Sequence, residues 1–196
     1  MRAKRRRCVV ALALVVLGVG GCNADPPDPG PTWSMSGSAE VTASSSPTVT
    51  PGPEVPVLPA AAREASEAGA RAFVEYYWEL VNYAQATGDV RALRAVSGPS
   101  CEGCQAGIAA VRRHYRAGGR VVGGAAIPQD QRLTELSTKE SSIYAFRVQV
   151  TTAHEAQEII APDGSRQSRS AGTDTWHLYV LWVNDREWRL DVMESR

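Results

Sequence analysis

The hydrophobic period of this chain changes from about 3.6 residues to 2 across Gly118-Gly119, and that switch sets the fold class. Before it, Phe73, Tyr77, Leu80, Val81 and Ala84 recur at helical spacing, Tyr76 widens the stripe, and Gly88 is a helix stop. Asp89 is then placed to cap a short second helix carrying Val90, Leu93 and Val96, which Gly98-Pro99 ends. A third helix starts between Ser100 and Cys104 and shows Cys104, Ile108, Val111 and Tyr115 on one face. After the switch, Val121-Val122 opens a short strand and Arg132–Thr138 forms another. Tyr144, Phe146, Val148 and Val150 alternate with Ala145, Arg147, Gln149 and Thr151, the pattern of a half-buried strand. Gln157–Ala161 is a further strand, bounded by Pro162-Asp163-Gly164-Ser165. Trp176, Leu178, Val180 and Trp182 alternate on a strand apolar on both faces, hence central, and Asn184-Asp185 turns it into Trp188, Leu190 and Val192. Helices followed by a meander predict an α+β domain over residues 61–196, with three N-terminal helices packed on a curved antiparallel sheet.

The chain ahead of that domain has a different character. Residues 1–7 hold Arg2, Lys4, Arg5, Arg6 and Arg7, an apolar run Cys8–Val19 follows, and Val19-Gly20-Gly21-Cys22 closes the segment. The pattern is similar to a bacterial lipoprotein signal over residues 1–21, cut before a Cys22 that carries diacylglycerol on its sulfur. Acyl chains at about 0.8 kcal/mol per buried CH₂ hold stably when two or more are present. The apolar run is well short of the about 20 residues a membrane-spanning helix needs. Residues 23–59 hold nine of the twelve prolines, four acidic residues and neither Lys nor Arg, with runs such as Thr42-Ala43-Ser44-Ser45-Ser46-Pro47-Thr48. That composition does not offset the entropy of ordering, so residues 22–60 read as a lipidated cysteine and a disordered tether. Trp33 and Met35 are the large apolar residues of its first part.

With the signal removed, sixteen basic residues face twenty-one acidic ones, a net charge of −5. Such a chain lacks the basic footprint that nucleic-acid binding requires. Attachment to a lipid bilayer would therefore rest on acylated Cys22 rather than on charge.

The element order resembles the cone-shaped NTF2-like fold, in which a long first helix and two shorter ones precede a strongly bent sheet. At residue level the chain resembles an uncharacterised family of actinobacterial lipoproteins. The resemblance runs through Tyr77-Trp78, Asn82-Tyr83-Ala84, Thr87-Gly88-Asp89, Val96-Ser97-Gly98-Pro99-Ser100-Cys101-Glu102-Gly103-Cys104 and Gly118-Gly119. It implies a location on the extracytoplasmic face of the cell membrane and an NTF2-like architecture, and it supplies no chemistry.

Of four cysteines, Cys8 leaves with the signal and Cys22 is the lipidation site, which leaves Cys101 and Cys104. A CxxC pair at a helix N-terminus can be a structural disulfide, a redox couple or half of a metal site. The βαβ context of a thioredoxin-like motif and the second pair of a zinc site are both missing, so a structural disulfide is the expectation. No HExxH, GxSxG or GxxxxGK[ST] motif occurs, and Gly118-Gly119 and Gly123-Gly124 read as a helix stop and a strand irregularity. His114, His154 and His177, and the carboxylates Glu75, Glu79, Asp89, Glu102, Asp174 and Asp191, define no catalytic set by spacing. Neither a cofactor nor a metal is expected. The aromatic load is the more suggestive feature: Tyr77, Trp78, Tyr115, Trp176, Tyr179 and Trp182, with His177, could fill the core, line a cavity or form a binding surface. The expectation is a membrane-anchored envelope lipoprotein with a non-enzymatic binding or scaffolding domain, its partner an envelope protein. The alternative is a small-molecule binder or weak enzyme that takes a small apolar ligand in the cone.

Overall fold

Ser66 begins the folded helices: its hydroxyl accepts from the Gly69 N–H at 3.0 Å, which caps α1 (Glu67–Thr87). This computed structural model describes residues 52–136, 144–183 and 187–196. The expected signal peptide, Cys22, Trp33, Met35, most of the tether and the Asn184-Asp185 turn lie outside the described residues. Gly88 ends α1 in the left-handed region at φ 77°, its N–H donating to Ala84 O. The expected stripe is the buried face, with Phe73, Tyr77, Leu80 and Ala84 all at 2% exposure or less. The packed chain reaches back to Leu58, which lies against the core.

Helix α2 (Arg91–Ala95) follows at once. Asp89 does not occupy its N-cap, which is Val90; its carboxylate instead accepts from the Arg91 backbone N–H at 3.0 Å and from the Arg91 guanidinium. That pairing holds the Asp89 carboxyl below its ordinary range. Helix α3 (Glu102–Arg116) is capped by Cys101, whose Sγ accepts from the Cys104 N–H at 3.2 Å. Cys101 and Cys104 form the expected disulfide, and both are buried.

The strands are β1 (Arg120–Gly123), β2 (Ala126–Glu135), β3 (Tyr144–His154), β4 (Gln157–Ile160), β5 (Arg166–Arg169), β6 (Gly172–Val183) and β7 (Glu187–Ser195). They divide into two antiparallel sheets, one ordered β2-β3-β6-β7 and one ordered β1-β4-β5. This corrects the NTF2-like cone. The strands do not join into one bent sheet that closes around an interior; the four-stranded sheet is open, and three strands pair separately. The α+β class stands, and β6 is internal as its two apolar faces required.

The core lies between α1 and the inward set of the larger sheet, Phe146, Val148, Val150, Leu178, Val180, Trp188 and Leu190. Two polar ties cross it. The Ser97 hydroxyl donates to Leu93 O at 2.7 Å, so the Tyr77 hydroxyl, 3.0 Å away, donates to Ser97 Oγ. Burial pushes the Tyr77 phenol up to about 12, outweighing the lowering effect of that bond. The Trp188 indole donates to Glu64 O at 3.0 Å, which fastens the 3₁₀ turn Ala61–Arg63 to β7.

Candidate functional site

A cleft of about 780 Å³ opens where the helices meet the seam between the two sheets. Helix α1 supplies Trp78, Val81 and Gln85; α3 supplies Cys104, Gly107, Ile108, Val111 and His114. The larger sheet adds Thr152, His154, Asp174, Trp176 and Met193, and the smaller one Val121, Gln157, Ile159 and Arg169. The rim is held by side-chain bonds between layers. Asn82 both donates to Ala126 O at 2.8 Å and accepts from Ala126 N at 2.9 Å, and Gln157 Nε2 donates to Gln85 Oε1 at 2.6 Å.

Glycines let the walls approach and leave the middle empty. A Cβ on Gly103 would fall inside the van der Waals radius of Met193 O, whereas one on Gly107 would meet nothing within 4 Å. The first glycine seats α3 against β7, and the second leaves a gap in the wall.

One end of the cleft is polar. In the β3–β6 register Thr152 lies across from Asp174, and His154 across from Gly172. His154 Nε2 is 3.7 Å from Asp174 Oδ2, and its Nδ1 is 3.2 Å from Glu155 O. The Asp174 carboxylate also accepts from Arg169 Nη2, at 2.7 Å on Oδ2 and 2.9 Å on Oδ1. Thr152 Oγ1 accepts from Trp176 Nε1 at 3.1 Å. No described serine, threonine or cysteine is hydrogen-bonded to the His154 ring. Among the described residues, no three His, Cys, Asp or Glu side chains gather as a metal site would require.

Of the aromatic candidates, Tyr77, Trp78 and Trp176 do come together on the cleft, where the Trp78 and Trp176 rings meet edge to face at 6.0 Å. The others do not. Tyr115 is structural: its hydroxyl bonds Gln85 O and accepts from the Val121 N–H, joining α1 to β1. Trp182 packs on Trp188 with ring centroids 5.2 Å apart, in a separate aromatic group with Tyr144 and Phe146. His177 and Tyr179 occupy the alternate positions of β6, out of phase with Trp176, and His177 Nε2 is buried with no hydrogen-bond partner among the described residues. The His154–Asp174–Arg169 group was not found by sequence spacing. A signal did exist, because Thr152 and His154 continue the inward phase of Val148 and Val150, and Asp174 continues that of Trp176.

These features define an α+β domain with an apolar cleft at a sheet seam. The chain belongs to a family of unknown function, DUF6318, whose model matches residues 41–194. That description carries no NTF2-like, actinobacterial or lipoprotein designation, so the expected family is corrected together with the cone. No curated protein matches the sequence. Among solved structures, the intermembrane-space region of the chloroplast protein ARC6 is 8% identical, with a TM-score of 0.49 over 66% of this chain and 95% of that one. A periplasmic fragment of TraM is 13% identical, with a TM-score of 0.38 over 67% and 97%. At those scores neither likeness transfers a fold or a role. No helix among the described residues is long and apolar enough to cross a membrane.

Proposed function

We propose that this is a non-enzymatic binding module of the cell envelope whose cleft holds an elongated, mainly apolar small molecule. The observation that carries this reading is the cleft itself. Its volume of about 780 Å³ lies within the roughly 300–1,000 Å³ of small-molecule sites, and its middle is walled by Trp78, Val81, Ile108, Val111 and Trp176. Open apolar volume forfeits dispersion contacts that an inserted acyl chain or ring system would restore. An envelope location draws support from the Cys101–Cys104 disulfide, a bond that persists in oxidising compartments. Acylation at Cys22 would hold the chain to the bilayer, as residues 1–22 suggest. A docking face for an envelope protein is the second reading, favoured by Tyr179, Leu181 and Val192, half-buried on the other side of the larger sheet.

Trp78 and Trp176 make the cleft report on itself. A neutral brominated oleoyl glycerol should quench tryptophan fluorescence saturably in the micromolar range. Gly107→Phe should weaken that binding at least about tenfold by filling the gap, while the unfolding midpoint holds or rises slightly, because glycine is the poorer helix former by about 0.3–0.5 kcal/mol relative to phenylalanine. Absence of saturable quenching would remove the cleft reading. For the anchor, Cys22→Ala should abolish palmitate labelling and move the protein from the membrane to the soluble fraction. Unchanged labelling would refute lipidation at that residue.

A further inference from the structure

Resting on the cleft reading, we propose that the occupant is an amphiphile with an anionic oxygen head, a carboxylate or phosphate monoester, seated at the Thr152–Arg169 end. Charge is the first argument. With histidines counted neutral, as in the net charge, the charged side chains of the wall are Arg113 and Arg169 against Asp174, a balance of +1. In a chain whose net charge is −5 after signal removal, that lining carries the sign opposite to the chain as a whole.

Hydrogen-bond polarity is the second argument. Asp174, the one acceptor-only group there, is already held by Arg169 Nη2 through both oxygens. Arg169 makes no other bond among the described residues, so its Nε and Nη1 hydrogens remain as donors. Thr152 Oγ1 accepts from the Trp176 indole, which leaves its hydroxyl proton to donate. Both groups therefore offer donors and call for an acceptor-rich partner. Placement is the third argument. Trp176, one inward position along β6 from Asp174, then begins the apolar wall, so head and body meet adjoining surfaces of opposite character.

The experiment compares three brominated oleoyl probes by tryptophan quenching of the full mature chain: the carboxylate, the monoacyl phosphate and the neutral glycerol ester. At least one anion should bind about tenfold or more tightly than the neutral ester, the scale of one charge-assisted hydrogen bond. The two anionic arms distinguish carboxylate from phosphate. Arg169→Gln should reduce that preference to under about threefold. Equal binding of all three probes would overturn the anionic head yet leave the apolar cleft standing. Full preference retained in Arg169→Gln would overturn the seat. Binding of none would sink the cleft reading and this inference together.

Discussion

Gly103→Ala is expected to lower the stability of the domain by about 2–3 kcal/mol, read as a fall in the urea midpoint with unchanged slope. The residue sits in the first turn of α3, and the atom its Cβ would strike is the backbone carbonyl of Met193 in β7. A flexible side chain could swing aside at small cost, but a backbone carbonyl moves only with its strand. Relief therefore requires α3 to lift from β7, which would disturb Cys104 and the cleft wall with it. The Cys101-Glu102-Gly103-Cys104 motif thus needs its glycine for close approach, independently of its sulfurs. An unchanged midpoint would show that the helix is not seated in this way.

Leu190→Ala should cost about 3–4 kcal/mol, near the middle of the range for fully buried leucines. Leu190 is 0% exposed and lies at the centre of the inward set. Its backbone also joins the layers: its N–H donates to Val96 O at 3.0 Å, and its carbonyl accepts from Gly98 N at 2.7 Å. Those bonds survive the substitution, so the helices stay attached while the cavity remains. That separation predicts a cooperative two-state transition at a lower midpoint. Loss of cooperativity would mean that the side chain, not the backbone bridge, holds the α2–α3 turn.

The sequence made legible what periodicity encodes. Helix α1 and strands β3 and β6 bury enough apolar side chains on one face for the pattern to show, and Gly88 and the cysteine pair mark local geometry directly. Strand β5 was missed because Arg166, Gln167, Ser168 and Arg169 are all exposed and carry no apolar signal. The first half of β2 was missed for a related reason. It runs through Pro128 with a register shift before Asp130, an arrangement that an edge strand tolerates and periodicity does not reveal. The cone failed because element order does not decide which strands pair. The partners of β1 lie 34 to 40 positions away in β4, and that choice split the strands into two sheets. The polar end of the cleft depends on register in the same way. His154 and Asp174 stand twenty positions apart and become neighbours only when Thr152 pairs with Asp174.

On the proposed reading of the cleft, the disulfide at the head of α3 bears on how a guest would be received. Cys104 is at once a member of that short covalent ring and part of the cleft wall, so the first turn of α3 is covalently closed where it borders the cleft. A wall that is rigid before loading would surrender little freedom on loading, and uptake would then be governed by encounter and fit rather than by a slow closing step.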